Sequence, residues 1–214
     1  ARTTLSFVVA GPWGDLSNYY TDGTNDHTEL QLALNRLNTL GGGEILLLKS
    51  TYNLGAGLTT YSNIGIRGLG INATIIKLNS TINADGLAGT GISNFSVRDL
   101  QINANSAGQN GISFNTGCSK FEIQNVLIKN ATLKGFSLES SKDAKLIDCH
   151  AESNTQDGFA VSTSTTDTAR RIRFVNCTST SNTQYGFGFI TSTTSHKVPE
   201  DCGMIGCYSI NNLT

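Results

Sequence analysis

The sequence predicts an all-β fold: a right-handed parallel β-helix, a solenoid of stacked coils, with a capping α-helix at its N-terminus. Three patterns predict it. A glycine followed by an apolar residue recurs in Asn110-Gly111-Ile112, Lys134-Gly135-Phe136, Asp157-Gly158-Phe159 and Tyr185-Gly186-Phe187, at spacings of 24, 23 and 28 residues. A second column keeps step with the first, in Arg98-Asp99-Leu100, Gln124-Asn125-Val126, Ile147-Asp148-Cys149, Val175-Asn176-Cys177 and Ile205-Gly206-Cys207. Third, the runs 121–126 and 172–177 alternate apolar and polar residues and are rich in β-branched and aromatic side chains, which is the periodicity of strands.

Period alone does not separate this fold from helical repeats, but punctuation does. Gly, Asn, Ser and Thr interrupt the runs too often for helices of ordinary length,. Leucine-rich repeats of similar period need several leucines per repeat, which these lines lack. What remains is a coil of short strands, each stacked on its counterpart in the next coil about 4.8 Å away.

Composition agrees. Of 214 residues 38% are hydrophobic and 14% charged, with 23 Gly and 2 Pro, too apolar and too weakly charged for a disordered chain. A formal net charge of −1 with no basic block argues against nucleic acid as a partner. The longest apolar run, Ile45-Leu46-Leu47-Leu48, is too short for membrane insertion,.

In chain order, Asp26-x-x-Glu29 reads as a capping box, followed by Leu30, Ala33, Leu34 and Leu37 at helical spacing,. A helix is expected at about 27–40, ended by Gly41-Gly42-Gly43. Strands follow at 44–48, 64–67 and 74–77. One domain is expected, with a capping segment at 1–43 and coils at 44–214. The helix would cover the open apolar end of the solenoid. Trp13, beside Gly11-Pro12, reads as packing within this segment or as a sugar-stacking aromatic. In the coils Cys149, Cys177 and Cys207 should form an internal ladder, and Phe136, Phe159 and Phe187 an aromatic stack. Side chains of neighbouring rungs point the same way, badly aimed for a disulfide, so buried free thiols are expected. The five cysteines form no C-x-x-C pair and the three histidines lie far apart, so neither a metal site nor a cofactor is expected. The last coil has no recognisable cap after it, which predicts continuation or self-association there.

Asp22-Gly23-Thr24-Asn25-Asp26, the helix, Gly41 to Ile45 and Ser50-Thr51-Tyr52-Asn53-Leu54 together resemble the leading segment of pectate-lyase-like β-helix proteins. The resemblance runs on through the coils and is specific for architecture. It implies activities as varied as polysaccharide lyases, hydrolases, epimerases, phage tail-spikes and non-catalytic surface proteins. The coils are most similar to those of mannuronan C5-epimerases, which carry a Tyr-Gly-Phe-Asp-Pro-His element in their groove. Here the matching stretch is Lys134-Gly135-Phe136-Ser137-Leu138-Glu139. The Tyr, Asp and His positions hold Lys134, Ser137 and Glu139, the family's next groove carboxylate falls on Ser162, and its lysine falls near Ser106. Neither the Asn-Thr-Asp and Gly-His-Gly elements of polygalacturonases nor an acidic calcium-binding face is present, since Asp143, Asp148, Glu152 and Asp157 sit in different turns,.

One constellation remains. The residue before each repeat glycine forms a column: Asn110, Lys134, Asp157 and Tyr185. If these share a groove with Glu139, they form a catalytic set able to neutralise a uronate and exchange a proton at C5; otherwise they are exposed turn residues. Arg170, Arg171 and Arg173 form the densest positive spot, either a grip for an anionic sugar or a solvated strand edge. The function expected first is a non-catalytic extracellular or virion module with a structural or attachment role. Its partner would be a polysaccharide or cell-surface glycan, and it would assemble end to end. The alternative is a polysaccharide lyase or C5-epimerase acting on uronate-containing polymers.

Overall fold

A computed structural model of the chain describes residues 6–12, 18–191 and 197–213; Trp13 lies outside them. It is a right-handed parallel β-solenoid of about six coils. Every pairing between its strands is parallel. One sheet has six strands, Leu58–Thr59, Leu87–Thr90, Ile112–Asn115, Phe136–Glu139, Phe159–Ser162 and Phe187–Ile190, stacked in sequence order. The other has 14 strands in two limbs. In the strands Ser93–Asn103 and Ser119–Lys129 both limbs belong to one bent strand.

The bend explains the second sequence column. Its central residues have left-handed backbone, with φ of 58° at Asp99, 49° at Asn125, 51° at Asp148, 52° at Asn176 and 63° at Gly206. Short polar side chains and glycine tolerate that conformation best. The Asn125 side chain also donates to Asp99 Oδ1 at 2.7 Å, tying one corner to the next.

The coils enclose a single run of apolar side chains. Phe136, Phe159 and Phe187 stack with centroids 4.6 and 4.8 Å apart, and Cys149 and Cys177 are free and buried while Cys207 is half-buried. A polar ladder runs beside the aromatic stack. Asn154 donates its Nδ2 to Asn182 Oδ1 at 2.8 Å, and Asn182 donates its own to Asn212 Oδ1 at 2.9 Å. The repeat glycines are required by close packing at each rung, to which this ladder contributes at three of them. A Cβ on Gly135, Gly158 or Gly186 would lie 2.9 Å from the Nδ2 of Asn154, Asn182 or Asn212, and closer still to other atoms.

The helix His27–Thr39 buries Leu30, Ala33, Leu34 and Leu37 against Ile45, Leu47, Leu58 and Ile66 of the first coils. Its start differs from the capping box expected of Asp26-x-x-Glu29. Asp26 makes no side-chain cap hydrogen bond. Its carboxylate instead accepts the Gly23 and Asn53 backbone N–H groups, both at 2.8 Å, and is fully buried. At the other end of the described solenoid, Met204, Ile205, Tyr208 and Ile210 are exposed. Among the described residues no helix is long and apolar enough to cross a membrane.

Candidate functional site

The outer face of the six-stranded sheet gathers the column residues. Backbone hydrogen bonds place Asp85, Asn110, Lys134, Asp157 and Tyr185 on successive rungs along one edge. Strand pairing sets Thr90 beside Asn115, and Ser162 between Glu139 and Ile190, along the other edge. Between the edges runs a floor of small residues: Ala88, Ser113, Ser137, Ala160 and Gly188. The floor side chains alternate with the core-facing aromatics, so they point outward, yet Ser113, Ser137 and Ala160 are buried. Larger polar side chains thus flank a strip of small residues, a shallow trough along this face.

Most of the first edge has a structural duty as well. Asp85 Oδ1 accepts the Asn110 N–H at 3.0 Å and the Asn110 amide at 2.8 Å. Asn110 Oδ1 accepts the Lys134 N–H at 3.2 Å, and Asp157 Oδ1 accepts the Tyr185 N–H at 3.1 Å. Lys134 has no side-chain acceptor and so leaves the pattern, freeing its ammonium for solvent or a ligand. Asp157 reaches over the next rung, where a Cβ built on Gly188 would lie 3.4 Å from its Oδ2. Only 2% of Asp157 is exposed, whereas Tyr185 is 52% exposed. A cleft lined by Tyr185, Phe187, Gly188, Phe189 and Ile190 opens at that rung.

Burial pushes the Asp157 carboxyl above its ordinary range, against the opposing pull of the Tyr185 N–H and the Lys134 charge. A carboxyl raised on folding favours the folded state below its unfolded pKa of about 3.9 and loses that contribution as pH climbs through the folded value. Asp157→Asn keeps the acceptor for Tyr185 and removes the buried charge. Thermal melts from about pH 3 to about pH 8, spanning carboxylate titration, should show the variant gaining on the wild type as pH rises. A constant difference between the two would refute this.

The three arginines lie on the other sheet, in the strand Arg170–Val175. Arg171 pairs with Asp143 at 2.5 Å, and Arg173 with Asp201 at 2.5 Å. Each carboxylate belongs to a neighbouring rung, so these two charges are locally balanced. Arg171 accordingly holds the Asp143 carboxyl below its ordinary range. No group of three or more His, Cys, Asp and Glu side chains able to hold a metal ion occurs among the described residues.

Asp85 and Asn115 belong to the trough but were not singled out by sequence. The signal for Asp85 was present: Asp85-Gly86-Leu87 is one more line of the glycine column, 25 residues before Gly111. Asn115 carries no such signal, since its place follows only from strand register.

A family model of the right-handed β-helix region matches residues 49–201. No curated protein sequence matches the chain. Among solved structures, Geobacillus virus E2 ORF18 superposes with a TM-score of 0.75 at 21% identity, over 89% of this chain and 40% of that one. The A-module of the Azotobacter vinelandii mannuronan C-5 epimerase AlgE4 gives 0.67 at 17% identity, over 91% and 67%. The tailspike gp49 of Acinetobacter baumannii bacteriophage Fri1, a capsular polysaccharide depolymerase, gives 0.59 at 13% identity, over 96% and 50%. At such identities the likeness is one of fold, and the chain spans half or less of the two phage proteins.

Proposed function

The chain belongs to the right-handed β-helix family, and from that premise we propose that it is an extracellular or virion attachment module whose six-stranded sheet holds a glycan. The observation that carries this reading is the trough, where Lys134, Glu139, Asp157 and Tyr185 line two edges of one face. A row of polar side chains at strand spacing, with an exposed tyrosine at one end, offers hydrogen bonds and an aromatic surface to an extended polymer. The phage and polysaccharide-acting proteins of the same fold supply the setting. In this reading the helix His27–Thr39 seals the first coil against edge-to-edge pairing.

Binding to immobilised polysaccharides tests it. The triple substitution Lys134→Ala, Glu139→Ala and Tyr185→Ala should weaken retention at least about tenfold, a difference of about 1.4 kcal/mol, without changing the melting temperature. Equal retention by both proteins would refute the trough as the site.

A second reading, lyase or C5-epimerase chemistry on a uronate polymer, draws on Asp157. A carboxyl raised by burial, one rung from Lys134 and one from Tyr185, has the makings of a proton-transfer group,. Release of unsaturated product from alginate or polygalacturonate, lost in Lys134→Ala and in Tyr185→Phe, would establish it. Absence of turnover by the wild type would leave binding as the function.

A further inference from the structure

The charges on the trough bear on what it holds. The ionisable side chains in its two edges are Asp85, Lys134, Glu139 and Asp157, three carboxylates against one ammonium. Of the lysines in the flanking turns, Lys142 is paired with Asp167 at 2.6 Å, while Lys197 keeps its charge and donates to the neutral Thr166 carbonyl at 2.7 Å, so carboxylates still outnumber unpaired ammonium groups. A face that bound a polyuronate would present an excess of positive charge along the polymer path, because closely spaced like charges repel. This one does the reverse.

Asp157 shows the effect at a single rung. Its Oδ1 takes the Tyr185 N–H, while its Oδ2 extends toward Gly188 and accepts no hydrogen bond among the described residues. Gly188 leaves open the space where any other residue would place a Cβ, and Ile190 Cδ1 bounds that space at 3.7 Å. Lys134 lies two rungs away from Gly188, about 10 Å at the spacing of adjacent strands, so the charge nearest this opening is the Asp157 carboxylate. A hydroxyl donor satisfies that oxygen. A second carboxylate in the same place would be repelled by it.

We propose that the trough selects an uncharged, hydroxyl-rich glycan and discriminates against uronate polymers, with Asp157 and Glu139 as the discriminating residues. This rests on the glycan-binding reading above and, within it, disfavours the uronate reading. Hydroxyl groups of a neutral sugar would donate to the carboxylates, while the exposed Tyr185 ring would carry the apolar face of a pyranose.

Calorimetric titration of the full chain at neutral pH and low salt, with α-1,4-, β-1,3- and β-1,4-linked glucan hexasaccharides and with hexagalacturonate, tests it. At least one neutral probe should bind about tenfold or more tighter than hexagalacturonate, with the gap narrowing as salt screens the repulsion. The isosteric double substitution Glu139→Gln and Asp157→Asn, checked for an unchanged fold by circular dichroism, should raise the affinity for hexagalacturonate at least fivefold. Hexagalacturonate binding more tightly than every neutral probe would overturn the inference and leave the trough standing as a glycan site. The same follows if the double variant leaves the discrimination unchanged. No binding by any of the four probes would count against both the inference and the reading beneath it.

Discussion

Phe159→Ala should destabilise the protein by about 3–5 kcal/mol, the cost of removing a large aromatic side chain from a packed interior. Phe159 is fully buried at the centre of the aromatic row. It stacks on Phe136 at 4.6 Å with 6° between ring planes, on Phe187 at 4.8 Å and 3°, and meets Phe174 edge-on at 5.5 Å and 71°. Truncation leaves a void walled by three rings, each held by its own coil. The strand spacing is fixed by backbone hydrogen bonds on both sides, so the neighbours cannot collapse into the gap. Urea denaturation followed by circular dichroism measures the loss. Phe187→Ala, at the half-buried end of the row, should cost clearly less. In a solenoid each coil is stabilised chiefly by its neighbours, so hydrogen exchange should accelerate most in the coils around residues 136–190. A loss below about 1 kcal/mol at Phe159 would mean that the row contributes little beyond filling space.

Much of this interior was legible because a parallel solenoid repeats its chemistry at fixed register. Phe136, Phe159 and Phe187 share a sequence column, and the backbone delivers them to one stack. The helix was legible from the spacing of Leu30, Ala33, Leu34 and Leu37, although its start was not. Asp26 looks like a local cap, yet the group it satisfies is Asn53, 27 residues away, and local pattern carries no information about that partner. The repeat glycines are visible in the sequence, but their cause is not, because it lies in the atoms of neighbouring rungs packed against them: carbonyls, Ser179 and Ser209, Ile128 and the Asn154–Asn182–Asn212 ladder. The arginine spot misled in the same manner. Arg171 and Arg173 look available until the 28-residue register brings Asp143 and Asp201 alongside. At the trough, the column rule found Lys134, Asp157 and Tyr185 together. It gave no hint that Ser113, Ser137 and Ala160 face outward and are nonetheless buried.

The ladder leads to the second large effect, Asn182→Leu. Asn182 is 1% exposed and saturates its side chain. Its Nδ2, with two hydrogens to donate, lies within reach of three acceptors, the Ala151 carbonyl at 3.1 Å, Ser179 Oγ at 2.8 Å and Asn212 Oδ1 at 2.9 Å, while its Oδ1 accepts the Asn154 N–H at 2.9 Å and the Asn154 amide at 2.8 Å,. Leucine has the same branched outline, somewhat broader in its two methyl groups, and none of these bonds. The Asn154 N–H and amide, which Asn182 Oδ1 accepts, would be left buried without that partner, at about 1–3 kcal/mol for each orphaned group. Allowing for some relaxation, the total should reach about 3–5 kcal/mol. Asn212→Leu, at the half-buried end of the ladder, should lose less, because Asn212 itself is in contact with solvent and its bonds to Asn182 are only part-buried. The effect should also travel to the trough. Gly158 packs against Asn182 Nδ2, and Asp157 is the residue before it, so a broader leucine must push this rung outward and move the carboxylate that reaches over Gly188. Glycan affinity should therefore fall in Asn182→Leu under conditions where the chain is still folded, whereas Asn212→Leu should retain it. If Asn182→Leu proved as stable as the wild type, the ladder would be a by-product of the repeat and not a determinant of the fold.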